Sequence, residues 1–160
     1  MRNPYSTQIF RADGKNTFVE VLNSSFPIGK VQIVFVEYDP QTNKQTKRLD
    51  IYIDALAAVA LSEHILSGSF ANMVEKAKIT KTFNGAAVSN YTSYFLDMGG
   101  VSEAKVEAHF NDYVAKYPFL QRGQAISRQL KIQAGQKYPW VLRAEYGPGK
   151  SNETSVAPIT

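Results

Sequence analysis

Between Val31 and Ile53 the chain spells a β-hairpin, and only a fold built around a sheet can accept it. Val31-Gln-Ile-Val-Phe-Val-Glu-Tyr38 is dense in β-branched and aromatic residues, the side chains that pack best on a pleated surface. Asp39-Pro40 and Asn43 supply the turn, and Lys47 to Ile53 returns as a second strand. Strand side chains alternate, so Leu49, Ile51 and Ile53 share one face while Arg48, Asp50 and Tyr52 share the other. One face must therefore be covered. The other presents both a cation and a ring.

The next segment is the expected cover. Asp54 reads as an N-cap for a helix to about Ser67, with Gly68 past its end. Leu56, Val59, Leu61, Ile65 and Leu66 make it apolar over most of its circumference, which implies a core helix with His64 at its margin. Upstream, Thr17–Leu22 has strand chemistry. Downstream, Phe70 to Lys78 extends the helical region, and Lys78–Phe83 and Tyr91–Leu96 read as two short strands around Asn84-Gly85. A further helix starts at N-cap Ser102, flanked by the hydrophobic staple Val101 and Val106. Phe110, Tyr113, Val114 and Tyr117 follow at helical spacing, and Pro118 stops the run.

Leu130, Ile132 and Ala134 alternate with Gln129, Lys131 and Gln133, and Trp140 to Tyr146 forms the returning strand. The resulting expectation is an α+β, β-rich domain over residues 1–146. It has three strands, a helix, a helical insertion at 69–120, then two strands. Residues 1–9 read as an arm and 147–160 as a mobile polar tail. Phe18, Phe35, Phe110 and Tyr113 are assigned to the core, and Trp140 joins them by its shared parity with Leu142 and Ala144.

Several chemistries drop out. With no cysteine there are no disulfides, thiolate metal sites or cysteine nucleophiles. No export signal or membrane-length apolar run is present, so a cytoplasmic protein is expected. Ala144-Glu-Tyr-Gly-Pro-Gly-Lys-Ser151 fits a loose phosphate-loop pattern, but its mechanism needs a helix after the Lys-Ser, and none is spelled there. His64 and His109 have no partner at metal-ligand spacing, and Asp50 and Asp54 do not face each other as a catalytic pair. No enzymatic activity, metal or cofactor is expected.

What remains is charge interleaved with rings. The 160 residues carry a formal net charge of +4, with nine tyrosines, nine phenylalanines and one tryptophan. Residues 121–150 hold Arg122, Arg128, Lys131, Lys137, Arg143 and Lys150 against the single acid Glu145, and Lys76 to Tyr94 contains no acid. Cations for phosphates and rings for bases are what a single-stranded nucleic-acid surface requires. The candidate surface comprises Tyr38, Lys44, Lys47, Arg48 and Tyr52 of the hairpin, Lys81 and Tyr91 of the acid-free segment, and Arg128, Lys131, Lys137, Tyr138 and Arg143 of the closing strands. Arg48 and Tyr52 form its centre.

Gln8-Ile-Phe-Arg-Ala-Asp-Gly-Lys-Asn-Thr-Phe18, the 31–53 hairpin entering the Asp54 helix, and the closing strands at 128–146 resemble single-stranded-DNA-binding proteins of the oligonucleotide-binding (OB) fold. The kind resembled is the small accessory protein carried by conjugative plasmids and phages of Gram-positive bacteria. The resemblance implies a five-stranded barrel with a helix after strand three, and DNA across the outer face of strands two and three. The segment before Phe10, polar over Met1 to Thr7 with Pro4 and Tyr5 and nothing obvious to pack on, is expected to be an arm that reaches a neighbouring subunit of a homo-oligomer. The long connector before strand four and the absence of an acidic tail tip depart from the family pattern. Two alternatives stand beside it: a Whirly/PC4-like curved sheet with helices, and a structural or assembly protein of a phage or mobile element that binds protein partners.

Overall fold

The computed structural model describes residues 7–80, 92–134, 140–151 and 156–158. Its order is β1 (Gln8–Asp13), β2 (Thr17–Leu22), β3 (Lys30–Tyr38), β4 (Gln45–Asp54), α1 (Ala55–Leu66), α2 (Ser69–Thr80), β5 (Thr92–Met98), α3 (Glu103–Ala108), α4 (Phe110–Lys116), β6 (Ala125–Ala134), β7 (Trp140–Ser151) and β8 (Val156–Pro158). A 3-10 turn at Phe26–Ile28 precedes β3. The strands form two open antiparallel sheets, β1-β2-β3-β4 and β5-β6-β7-β8. The protein is thus α+β and strand-rich, with two four-stranded sheets in place of the five strands expected. No closed barrel forms among the described residues.

The 31–53 hairpin folds as its alternation dictates. β3 and β4 pair with Phe35 opposite Leu49 and Ile33 opposite Ile51. In the turn, the Asp39 carboxylate accepts from the Gln41 amide and the Thr42 hydroxyl, each at 2.9 Å. Asn43 takes the left-handed conformation, φ 53°, which asparagine tolerates better than most residues. Ile33, Leu49, Ile51 and Ile53 then meet Leu130 and Ile132 of the second sheet in one core, with Leu61 and Phe70 of α1 and α2 at its side. Where β5 ends, the second sheet comes close against β4. A Cβ on Gly99 would stand 3.2 Å from the Tyr52 backbone nitrogen.

A second core lies at the other end of the second sheet. Val101, Val106, Tyr117, Leu120 and Ile126 are buried together, with Phe110, Tyr113 and Val114 packed on them. The staple expected around Ser102 is therefore present, and the Ser102 hydroxyl accepts from the Lys105 amide at 3.4 Å. The single helix expected after it is two short ones, broken at His109 (φ −132°, ψ 39°).

Four expectations need correction. The arm assigned to residues 1–9 overlaps β1, whose Gln8 pairs with Leu22; Met1–Ser6 lie outside the described residues. β1 is an edge strand with almost every residue exposed, so it lacks the apolar alternation that marks a strand. The strand placed at Lys78–Phe83 is helix as far as Thr80, because α2 continues without a breaker. The tail assigned to 147–160 is partly strand: β7 runs through Gly147-Pro-Gly-Lys-Ser151, pairing Gly149 with Ala125 on one side and Pro158 on the other. Proline in a strand is tolerated where a ladder is incomplete, and the β8 pairing starts one residue after Pro148. Finally, Phe18 is half-buried on the face of the first sheet opposite the main core, where the Arg11 guanidinium stands 3.8 Å above its ring.

Candidate nucleic-acid interface

Strand parity places Arg48, Asp50 and Tyr52 together on the face of β4 opposite the main core, beside Gln32, Val34 and Val36 of β3, and there Asp50, Gln32, Val34 and Val36 are themselves buried. Arg48 does not project from that face as an unoccupied cation. Its Nε donates to both Asp50 carboxylate oxygens at 3.2 and 3.0 Å, and Nη2 donates to Oδ1 at 2.9 Å. Burial pushes the Asp50 carboxyl up, but the Arg48 and Gln32 hydrogen bonds and the charges of Arg48 and Lys116 outweigh it, holding it below the usual carboxylate range. Arg48 is held above its ordinary value mainly by the same carboxylate.

Sequence reasoning missed the residue that organises this cluster. Gln32 is buried, and its amide nitrogen donates to Asp50 Oδ1 at 2.8 Å and to the Tyr52 hydroxyl at 3.3 Å, while its carbonyl accepts from Ser24 at 2.8 Å. The available signal was a lone amide within an otherwise apolar strand. A buried amide needs partners, and the facing strand supplies them. Farther along the same face, Arg11 bonds Asp13 and Glu20. The outer face of the first sheet is therefore a web of satisfied pairs, with Arg11 and Arg48 matched by Asp13, Glu20 and Asp50.

Beside the β4 edge the two halves of the expected surface meet. Arg128 of β6 donates to the Gly99 carbonyl and places its guanidinium carbon 5.8 Å from the centre of the Tyr52 ring. Its register partner on β7 is Tyr146. The Tyr146 ring in turn packs 5.4 Å from Tyr117 and 5.9 Å from Phe119, and the Lys116 ammonium lies 5.5 Å from the Tyr117 ring. Rings and cations thus follow one another from β4 across β6 and β7 to the end of α4, with Tyr117, the link to Lys116, itself buried in the second core. Tyr117, Phe119, Lys116 and Tyr146 were not in the expected set, because helix and strand residues distant in sequence converge there only through the packing of α4 on the second sheet.

The other expected residues fall in separate places. Lys131 and Arg143 are cross-strand neighbours on the outer face of the second sheet, and both reach Glu145, at 2.6 and 2.7 Å. Lys47 pairs with Glu37 at 3.2 Å, Lys44 is exposed in the β3–β4 turn, and the Tyr38 ring packs 6.3 Å from Phe18. Lys81, Tyr91, Lys137 and Tyr138 lie outside the described residues. Trp140 pairs with Ala134, at the parity of Leu142 and Ala144.

An apolar cleft of about 490 Å³ opens between the sheets near the β1–β2 turn, lined by Val19, Phe35, Leu49, Ala144 and Tyr146, with Asp13, Glu37 and Lys47 at its charged margin. Phe35 packs against the main core, as expected, and its half-buried ring also forms part of this wall. The phosphate-loop look-alike Ala144–Ser151 is extended strand throughout, so its amides serve sheet pairing and do not converge on an anion. Among the described residues, no three His, Asp or Glu side chains gather to hold a metal, and no helix is long and apolar enough to cross a membrane. Comparison with protein-family models, curated proteins and solved structures gives no match.

Proposed function

We propose that the protein binds single-stranded nucleic acid, DNA in the first instance, with little sequence preference and without chemistry on it. One observation carries this reading: the band in which rings and cations follow one another through Tyr52, Arg128, Tyr146 and Lys116 beside the β4 edge. Rings accept unstacked bases of any identity, and cations beside them attract the phosphates. Lys131 and Arg143, sharing the single acid Glu145, leave a net positive charge for the backbone on the outer face of the second sheet. Two open sheets with helices suit the Whirly/PC4-like alternative better than a closed five-stranded OB barrel.

Fluorescence anisotropy with labelled oligo-dT tests the proposal. Binding at micromolar concentration or tighter is expected, weakening with salt at a slope of roughly −0.7 per phosphate neutralised. Flat salt dependence, or equal affinity for duplex, would refute it. The second reading, an assembly protein with protein partners, draws on the exposed apolar side of α1.

A further inference from the structure

We propose that the outward face of α1 is a homodimer interface, on which a second copy of the chain docks its own α1 antiparallel. A helix apolar over most of its circumference is normally enclosed, but here the chain encloses only one side. Leu61 faces the core, whereas Leu56, Val59 and Leu66 are 85%, 56% and 87% exposed. They do not stand alone. The groove between α1, the 3-10 turn and β1, about 640 Å³, is walled by Val59, Leu66, Phe26 and Ile9, and Phe26 and Ile28 of the turn are 50% and 72% exposed. Scattered single apolar residues are ordinary on a surface, but a contiguous patch beyond a few hundred Å² marks an interaction site. These side chains together expose area on the order of the ~800 Å² per partner that a stable interface takes.

The charges on this face select the occupant. Among the described residues its ionised groups are Lys30, Asp54 and Glu63, with Lys30 already bonded to Asp54 at 2.6 Å. With Lys30 and Asp54 cancelling, these groups leave only Glu63, so the face is nearly neutral and offers nucleic acid or anionic lipid no cationic patch, although the chain as a whole is +4. It suits a copy of itself. In an antiparallel pair centred near Leu61, Leu56 meets the partner's Leu66 at both ends, so the largest exposed side chains cover each other twice. Lys30 and Asp54 lie at one end of α1 and Glu63 toward the other, so antiparallel pairing brings the Lys30 end of one copy toward the Glu63 end of its partner. This interface is distinct from the ring-and-cation band, and the proposal holds whether or not the protein binds nucleic acid.

Sedimentation velocity on the full chain, without nucleic acid, tests it. The wild type is expected at twice the 17.8 kDa chain mass, and Leu56→Glu with Leu66→Glu at the chain mass itself. Both substituted side chains are exposed, and far-UV circular dichroism confirms that the variant is folded. The chain has no cysteine, so the orientation is read by mixing Leu56→Cys and Leu66→Cys proteins under mild oxidation. A disulfide dimer is expected in the mixture and not in either protein alone. If the glutamate variant does not fold, this crosslink decides the matter by itself. A monomeric wild type, an unchanged mass in the folded glutamate variant, or equal crosslinking of each cysteine protein alone would overturn the proposal. Docking of a monomeric wild type on neutral lipid vesicles would do the same.

Discussion

Arg128 of β6 holds its guanidinium carbon 5.8 Å from the centre of the Tyr52 ring of β4, joining the two sheets beside the crossing at Gly99. The contact is built from opposite halves of the chain. If this pair forms part of a binding band, its two members contribute to one ligand in different ways.

Tyr52→Ala is expected to weaken oligo-dT binding by ~1–3 kcal/mol, the cost of losing one stacked base. Tyr52→Phe keeps the ring and removes only the hydroxyl that accepts from Gln32, so affinity should hold. Anisotropy titrations of the two variants separate stacking from fold maintenance. Equal losses in both would remove Tyr52 from the interface.

Glu145 occupies Lys131 and Arg143 together. Glu145→Gln should release both cations, tighten binding, and steepen the salt dependence by roughly 0.7 for each added phosphate contact. Arg143→Gln should act in the opposite sense. Titrations across a salt series read both effects, and an unchanged slope in both variants would place the ligand elsewhere.

Asp50 links acid stability to the Arg48 cluster. Its folded carboxyl titrates below its unfolded value of about 4, so the stabilisation is fully present above that pH and is lost as pH falls through the lower folded value. Asp50→Asn should cost ~1–2 kcal/mol at neutral pH, the scale of a partly exposed charged hydrogen-bond set. It should also flatten the decline in stability below about pH 4. Urea unfolding at a series of pH values measures both, and an acid limb identical to wild type would exclude Asp50 as its source.

Gly99→Ala should destabilise the fold by ~1–3 kcal/mol, because the added Cβ meets β4 backbone at 3.2 Å and not a side chain that can swing aside. Phe70→Ala should cost more, ~3–5 kcal/mol, since Phe70 is fully buried between the helices and the sheet core. Thermal and urea unfolding give both values. A Gly99→Ala protein as stable as wild type would mean that the sheets yield at their crossing.

Elements whose patterning is local were legible before any packing was known. The 31–53 hairpin, the inward Leu49, Ile51 and Ile53, the shared face of Arg48 and Tyr52, and the Ser102 staple all follow from a two-residue or 3.6-residue period and a cap. β1 was not legible, because an edge strand with almost every residue exposed carries no alternation to read. The Gly147–Ser151 part of β7 was hidden by glycine and proline, whose local preference for turns is overridden by pairing with β6. Asp50–Arg48 and Glu145–Arg143 are pairs two apart on one strand, which the same period already places on one face, but that Glu145 also claims Lys131 depends on the pairing of β6 with β7. Tertiary structure also decided which apolar residues stay uncovered. The composition of α1 states that both sides of the helix seek cover, but only the packed chain shows that Leu61 finds it while Leu56 and Leu66 do not. Periodicity describes one element at a time, whereas burial and cross-strand pairing are properties of what two elements bring to the same place.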